Sequence, residues 1–396
     1  MTGFERDTVI SGMGQSRVGR RLGGSALTLT TDAVLAAVRD AGLVLADIDG
    51  LCTYPGGDPN ATAGYGGPPP SAVQDALRLN VNWYSGSAEL PGQLGALVQA
   101  AMAISTGLCR HVVVYRTVTE SSAQGARNRS AVLPGTAREV SGIDYWSAPF
   151  GAVSAANWLA PLAQLHFHDY GTTREQLGTV AVTQRQYAAS NTAAVLRSPL
   201  TLEEYLDARM ISTPLCLLDC DMPVDGSTAF VLSHRSHVDE LTHPPVFIEA
   251  VGTAMRGRPS WDQYHDPAAM SATGAAEHLW ERSSLTPTDV DAAQLYDGFS
   301  ILVLIWLEAL GFCARGESGA FIGDGALGPD GQLPTNTSGG QLSAGRLHGF
   351  GQIHEACAQI RGEAGARQLF PRPRVVAVSA GGGPIAGCLL LTSQLP

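Results

Sequence analysis

Apolar and polar positions along the chain form the same pair of segments once near each end. Residues 90–106 are rich in alanine with apolar positions at helical spacing, and the apolar run 110–115 that follows is typical of a buried strand. Residues 353–361 and 374–378 repeat this order, and in both places glycine separates the helix from the strand. We therefore predict a duplicated α/β unit whose strands are covered by helices on both faces.

Other patterns add elements around this unit. Residues 7–10 predict a first strand, and 32–41 predict a helix with one apolar face and Thr31 as its candidate N-cap. Between the repeated segments, 155–170 and 174–189 have the pattern of two further helices. We interpret this middle region as an insertion, placed where it could cover a pocket.

Composition narrows the class of protein. The chain has 396 residues, 44% hydrophobic and 15% charged, which suits a large core and not disorder. A net charge of −11 argues against a nucleic-acid surface, and the absence of lysine excludes a Schiff-base aldolase mechanism. Seven cysteines without framework spacing favour reduced thiols and a cytoplasmic protein, and no apolar stretch predicts a membrane span.

Six segments, taken in order, carry a family resemblance. They are “ISGMGQSRVGR” and “DAGLVLADIDGL” in the first half, “DYGTTREQLGTVAVTQRQYAASN” and “PLCLLDCDMPVDGSTAFVL” in the middle, and “AQLYDGFS” and “NTSGGQLSAGRLHGFGQIHEACAQIRGEAGARQ” in the second half. Together they resemble the thiolase superfamily, specifically its sterol-carrier and lipid-transfer branch, over nearly the whole chain.

The resemblance implies an α/β thiolase fold. In this fold two duplicated βαβαβ halves form a layered α-β-α-β-α core, with an inserted loop and helical region. On this basis residues 1–119 form the N-terminal half and 120–220 the insertion that covers the pocket. Residues 221–245 contain the return strand of the N-terminal half, and 246–396 form the C-terminal half.

The two cysteines of thiolase chemistry are missing from this chain. The resemblance places the nucleophilic cysteine at 82–87, where Tyr84 and Ser85 stand, and the second cysteine at Ser379. A serine hydroxyl is far less acidic than a thiol and is a poor substitute without a base. We therefore expect no cysteine nucleophile and no acyl transfer by the thiolase route.

One sub-branch of the family has lost both cysteines, and this chain resembles it. These aldolases of steroid side-chain degradation cleave a β-hydroxyacyl-CoA by a retro-aldol step, releasing a ketone and a short acyl-CoA. Tyr296 and His348 match their motif, whereas Arg346 stands where they have a second tyrosine.

The resemblance and the needs of a retro-aldol step suggest three catalytic residues. Tyr296 is predicted to transfer the proton, with Arg346 lowering its pKa. His348 is predicted to direct a ring N–H at the thioester oxygen. Residues predicted to bind the substrate are Tyr84, Ser85, Asp297, Gly339, Gly340, Ser379 and Gly381.

The same resemblance implies the partners. The substrate is a CoA thioester, the chain forms a homodimer through the first-half sheet, and a protein with an OB-fold and a zinc ribbon binds it. We expect no tightly bound cofactor and no metal in this chain. His166 and His168, at i and i+2, diverge on a helix and do not suit a metal site.

Arg346 leaves three interpretations open. The first is a carbon–carbon lyase that acts on the CoA thioester of a steroid or other lipid side chain. The second is a catalytically silent subunit that binds acyl-CoA or scaffolds a partner. The third is an acyltransferase or condensing enzyme whose active site contains no cysteine.

Overall fold

The computed structural model describes residues 3–56, 62–87, 89–124, 144–258, 260–261, 264, 266–267 and 270–395. Its strands are β1 (Thr8–Gln15), β2 (Gly50–Thr53), β3 (Trp83–Gly86), β4 (His111–Thr119), β5 (Met210–Ser212), β6 (Leu215–Cys216), β7 (Asp225–His234), β8 (Val246–Met255), β9 (Ala292–Gln294), β10 (Val375–Gly381) and β11 (Ile385–Thr392). Its helices are α1 (Ala26–Asp40), α2 (Pro70–Leu77), α3 (Gly95–Ser105), α4 (Glu120–Ala123), α5 (Asp144–Ser147), α6 (Ala155–Tyr170), α7 (Arg174–Ala189), α8 (Leu202–Leu206), α9 (Ser271–Glu281), α10 (Ser300–Ala309), α11 (Ser318–Gly323) and α12 (Phe350–Arg361). A π-helical turn spans Gly340–Ala344.

Nine of the described strands form one sheet in the order β3-β2-β4-β7-β1-β8-β11-β10-β9. In the first five, β2 is parallel to β3 and β4, and β7 is antiparallel to β4 and β1. In the last four, β9 is parallel to β10, and β11 is antiparallel to β10 and β8. The two groups therefore share one order and one set of strand directions, which confirms the predicted duplication. They meet where β1 pairs with β8.

Helices cover these strands on both faces. Helix α1 packs on β1, β4 and β7, and α9 packs on β8 and β11. Helix α12 lies between the two groups, since it contacts β9 and β10 as well as β1 and β7. Strand β4 shows why both faces are covered, since its successive side chains point to opposite faces of the sheet. Val113 and Tyr115 pack in the apolar cluster that contains α1, and Val112 and Val114 pack in the cluster that contains α3. The α-β-α-β-α layering follows the expected thiolase pattern.

The middle region contains the two helices predicted there, α6 and α7, with the predicted bounds. Helix α7 packs against α10, α11 and the π-helical turn. The residues from Ser300 to Leu307 in α10 are all buried, which explains the unbroken apolar run of that helix. The insertion therefore lies against the glycine-rich segment of the C-terminal half. The exact bounds of the halves remain a prediction.

Three helix starts differ from the sequence prediction, and one of them is that of α12, which begins at Phe350 and not at residue 353. Helix α1 begins at Ala26, and its cap is Ser25, whose Oγ accepts a hydrogen bond from the Thr28 N–H at 3.0 Å. Thr31 lies inside this helix and donates its hydroxyl to the Thr28 carbonyl. Helix α3 begins five residues later than predicted, because Gly92 before it has a φ of +58°. In the described parts of the chain, no helix is both long and apolar enough to cross a membrane.

Candidate active site

Both halves of the molecule contribute side chains to one buried cluster at the ends of the strands. Glu120 directly follows β4, and Tyr296 lies two residues after β9. Asp221 lies four residues before β7, and the neighbouring Met222 carbonyl accepts the backbone N–H of Arg346 at 2.8 Å. Open α/β sheets bind their ligands beyond the carboxyl ends of parallel strands, so we take this cluster as the candidate active site.

An ion-pair network forms the centre of the cluster. The Arg346 Nε and Nη2 groups donate to the Glu120 carboxylate at 2.9 and 3.0 Å, and Nη1 donates to Asp221 at 2.9 Å. Burial would raise the pKa of Glu120, but the Arg346 charge and His348 lower that pKa to about 2. Burial raises the pKa of Asp221 to about 7 in spite of Arg346. Arg346 is thus engaged by two carboxylates, one of them in a bidentate pair.

His348 adds an imidazole to the same carboxylate. Its Nε2 lies 3.0 Å from Glu120 Oε2. An ionised carboxylate only accepts hydrogen bonds, so Nε2 carries the hydrogen. Burial lowers the pKa of His348 to about 4, against the opposing effect of Glu120, so the ring is neutral near pH 7. Its Nδ1 is then a lone-pair acceptor, and it is buried without a hydrogen-bond partner in the described part of the chain.

This geometry corrects the role predicted for His348. The ring N–H that was expected to reach a thioester oxygen is donated to Glu120 instead. The ring nitrogen that remains available is Nδ1, which can accept a proton. The backbone at His348 has a φ of +50°, a conformation that non-glycine residues adopt rarely and mainly where the surrounding structure enforces it.

The role predicted for Tyr296 is also corrected. Burial raises the pKa of its phenol, and Asp221 and Tyr65 raise it further, whereas Arg346 lowers it without offsetting them. This direction corrects the prediction that Arg346 makes Tyr296 a base near neutrality, because burial, with Asp221 and Tyr65, outweighs the Arg346 charge. Tyr296 keeps its proton and can act as an acid or a hydrogen-bond donor.

Asp297 holds the glycine-rich segment against the end of β9. Its Oδ2 accepts the backbone N–H groups of Gln341 and Leu342 at 2.7 and 3.3 Å, and its Oδ1 accepts Gln352 Nε2 at 2.7 Å. Burial raises the pKa of this carboxyl to about 7. A Cβ on Gly340 would lie 2.1 Å from Asp297 Oδ2, so glycine is required there for the segment to pack.

The other glycines predicted to bind substrate have structural contacts. The N–H of Gly339 donates to the Asn336 carbonyl at 2.8 Å, so it is not the open donor that was expected for CoA. The Gly381 carbonyl accepts Trp306 Nε1 at 3.0 Å. Gly340 lines a cavity of about 180 Å³ that also borders Gln352.

The residues predicted at the thiolase cysteine positions lie on two strands, β3 and β10. Tyr84 and Ser85 lie on the edge strand β3 and not at the start of α3, which corrects the alignment made from the sequence. Tyr84 is 70% exposed, and Ser85 donates its hydroxyl to Gln99 Oε1 at 2.8 Å. Ser379 is buried and accepts the Tyr296 backbone N–H at 2.9 Å, so it positions that residue.

The seven cysteines share one electrostatic property, a raised thiol pKa. Burial is the largest cause of a raised thiol pKa at every one of them: Cys52, Cys109, Cys216, Cys220, Cys313, Cys357 and Cys388. A reactive cysteine has the opposite shift. The residues 90–94, which lead into α3, contain no cysteine either.

Four site residues were missed from the sequence. Glu120 and Asp221 flank strands, and an acid next to a buried strand was the signal that could have found them. Tyr65 and Arg116 had no such signal. The Tyr65 ring packs edge-on against His348 with centroids 4.8 Å apart, and the Arg116 guanidinium lies 4.5 Å from the centroid of the Tyr65 ring.

Side chains that could ligate a metal lie at two places, around His166 and around His243. His166 is a core histidine whose Nδ1 and Nε2 are paired with Thr172 and Glu308 at 2.8 and 3.0 Å. Donor atoms of Asp40, His243 and Glu363 lie within 4.8 Å of one another. The Arg361 guanidinium provides a positive charge beside these groups, with its Nη1 2.7 Å from Asp40 Oδ2. This second cluster is a salt-bridge network by its contacts.

Known proteins are similar to this chain over most of its length. Residues 253–389 match the model of the thiolase C-terminal domain-like family. A steroid side-chain-cleaving aldolase of Thermomonospora curvata is 36% identical, with 96% of this chain and 97% of that protein covered. A 17-hydroxy-3-oxo-4-pregnene-20-carboxyl-CoA lyase of Mycobacterium tuberculosis is 35% identical, with 96% and 98% covered.

A solved structure of an Ltp2-ChsH2(DUF35) aldolase is similar over 99% of both chains, with 35% identity and a TM-score of 0.86. Similarity of this extent, over the whole chain and at these identities, confirms the resemblance seen in the sequence. The chain belongs to the thiolase superfamily, in its sterol-carrier-like branch.

Proposed function

We propose that this chain is a carbon–carbon lyase that cleaves a β-hydroxyacyl-CoA by a retro-aldol step. Its two relatives named as a steroid side-chain-cleaving aldolase and a carboxyl-CoA lyase support this class of reaction. A substrate with a steroid or other lipid side chain is part of the proposal. The products are a ketone and a short acyl-CoA.

The observation that carries the proposal is the Glu120–His348 pair beside a protonated Tyr296. In the first half of the step His348 Nδ1 takes the proton of the β-hydroxyl group. The oxygen electron pair forms the ketone C=O bond, the Cα–Cβ bond breaks, and its electrons form the enolate of the thioester. Glu120 stabilises the imidazolium that results, as a carboxylate does behind a catalytic histidine.

In the second half Tyr296 donates its proton to the α-carbon of the enolate. The proton held by His348 returns to the Tyr296 oxygen through solvent, so the cycle is balanced without any external acid. Arg346 holds Glu120 and Asp221 in place, and it adds to the burial that keeps the histidine neutral, which gives it a positioning role in our proposal. Asp297, Gly339 and Gly340 shape the loop that carries His348, whereas Gly381 ends β10.

The proposed partners follow from the same relatives. A protein partner is supported by the Ltp2-ChsH2(DUF35) aldolase structure, and we propose that it corresponds to the OB-fold, zinc-ribbon protein implied by the sequence. We also propose a homodimer through β3. In the described chain this strand pairs with β2 on one side only, and its Tyr84 is exposed.

Two observations count against an acyltransferase with another nucleophile. The thiol pKa values are all raised by burial, and the hydroxyls of Ser85 and Ser379 are engaged with Gln99 and with the Tyr296 backbone. Iodoacetamide is therefore expected to leave the activity in place. Substrate-protected inactivation by one equivalent of bound reagent would support the acyltransferase instead.

The test is ketone release from a β-hydroxyacyl-CoA with a tertiary β-carbon. The chain is measured alone and co-expressed with a DUF35 protein from the same genome. His348→Gln should lower the rate at least a hundredfold, and His168→Gln, at an exposed side chain, should leave it unchanged. Wild-type rates equal to buffer with and without the partner would overturn the lyase and favour the silent subunit.

A further inference from the structure

Arg116 is a buried arginine next to the active site whose hydrogen-bonding capacity is mostly unused. It lies in β4, four residues before Glu120, and it is 1% exposed. Its Nη1 donates to the Tyr54 carbonyl at 2.8 Å. Its Nε and Nη2 have no hydrogen-bond partner among the residues that the structure describes. Buried guanidinium groups are costly unless they are paired, so these free donors call for a function.

The surroundings of Arg116 connect it to the proposed chemistry. Its guanidinium packs on the ring of Tyr65 at 4.5 Å and lies 5.7 Å from the ring of Tyr54. The same Tyr65 ring contacts His348, whose Nδ1 is the unpaired acceptor. One ring therefore packs against both an unpaired acceptor and a set of unpaired donors.

A β-hydroxy thioester complements this pair of groups. Its hydroxyl is a donor that fits the His348 Nδ1, and its carbonyl oxygen is an acceptor that fits the Arg116 N–H groups. The carbonyl also becomes the negatively charged enolate oxygen when the Cα–Cβ bond breaks. A fixed cationic donor in a site with little water is the kind of group that stabilises such a charge. Arg346 is less suited, because it already donates to Glu120 and Asp221.

We infer that Arg116 donates hydrogen bonds to the thioester oxygen of the substrate and to the enolate oxygen formed from it. This role rests on the proposed function. The Tyr65 ring must swing away from Arg116 and His348 for the substrate to reach both. Tyr65 lies in the segment 62–69, whose residues are partly exposed, so the movement needs no rearrangement of the core.

The first test measures the carbonyl contact without any catalysis. Acetyl-CoA and its thioether analogue S-ethyl-CoA differ in the carbonyl oxygen, and both are titrated by calorimetry. The wild type should bind acetyl-CoA at least tenfold more tightly, the range for a hydrogen bond to a charged donor. Arg116→Met should reduce this ratio to near one. An unchanged ratio in the variant would overturn the inference.

The second test measures enolate formation through exchange of the acetyl-CoA α-protons in D₂O. Arg116→Met should lower the exchange rate by a factor of about 10²–10³, the range for the loss of one oxyanion donor. If Arg116→Met does not fold, Arg116→Lys should still lose at least tenfold, because a lysine lacks the planar fork. A rate within threefold of wild type in the folded variant overturns the inference.

A matched control is Arg361→Met. Arg361 is also buried with an unpartnered Nε, but it lies at the far end of α12 and pairs with Asp40. This variant should lose stability and keep both the binding ratio and the exchange rate per folded molecule. A wild type that exchanges protons but cleaves no β-hydroxyacyl-CoA would refute the lyase and leave Arg116 as an enolate-binding group, so the two failures are distinguishable.

Discussion

Glu120 and Asp297 are two buried carboxylates of the same site, and they differ in what satisfies them. Glu120 accepts from the guanidinium of Arg346 and from His348, and its pKa is lowered to about 2. Asp297 accepts from two backbone N–H groups and an amide, with no cation in contact, and its pKa is raised to about 7. Burial acts on both in the same direction, so the neighbouring cation decides the difference.

This difference separates a carboxylate suited to chemistry from one suited to structure. A permanently ionised Glu120 can stabilise a positive charge that appears on His348 during a reaction. Asp297 offers three acceptor contacts at fixed geometry and holds a loop. Four sets of variants test whether Glu120 and Asp297 differ in this way.

The largest effect is expected for Glu120→Gln. The amide cannot stabilise an imidazolium, and its single oxygen replaces the two that accept from Arg346, so ketone release should fall by about 10³–10⁴. Glu355→Gln is the matched control, since Glu355 is also buried and paired with an arginine, Arg367. It should lower the melting temperature without a comparable loss of rate. Equal loss in both variants would mean that Glu120 acts through stability.

The second-largest loss of rate is expected for Tyr296→Phe. The ring and its packing are kept, and only the proton donor is lost, so the rate should fall by about 10²–10³ at pH 7 while the melting temperature stays close to wild type. Tyr187→Phe is the control, because Tyr187 is another buried tyrosine, bonded to the Leu327 carbonyl. A full rate in Tyr296→Phe would exclude it as the acid.

Variants of Arg346 test whether its positive charge lowers the pKa of His348. Both Glu120 and Arg346 act on His348, and Arg346 lowers its pKa. In Arg346→Met that pKa should rise, so the base becomes protonated at a higher pH and the acid limb of the pH–rate profile moves up from its wild-type position near pH 4. Arg346→Lys keeps the charge, so its acid limb should move much less. Superimposable profiles for the wild type and Arg346→Met would contradict this account.

The smallest effect on rate is expected for Asp297→Asn. The Gln352 Oε1 has no partner, so a flip of that amide lets it accept from the new NH₂ group, and the rate should change less than tenfold. The raised pKa of Asp297 means that its contribution to stability is present below pH 4 and is lost as the pH rises toward 7. Asp297→Asn should therefore flatten the melting temperature between pH 4 and 7. A steeper dependence would show that the ionised form is the stabilising one.

Much of this protein was determined by its sequence alone. Helical and strand periodicity placed α6 and α7 with their correct bounds and revealed the duplicated unit, because these elements bury one face over many residues and the pattern is local. The motif segments identified Tyr296, Arg346 and His348 and the family to which the chain belongs. The start of α3 was missed, because a turn at Gly92 interrupts an apolar run that otherwise looks helical.

The tertiary structure decided what those residues can do. Whether His348 donates or accepts depends on Glu120, 228 residues away in the chain. Arg346 lowers the pKa of Tyr296, but burial and Asp221, which comes from a separate segment, outweigh it. Tyr65 and Arg116 enter the site through a loop and a strand with no motif. Protonation states and unpaired donors arise from burial and from neighbours distant in sequence, and a local pattern contains neither.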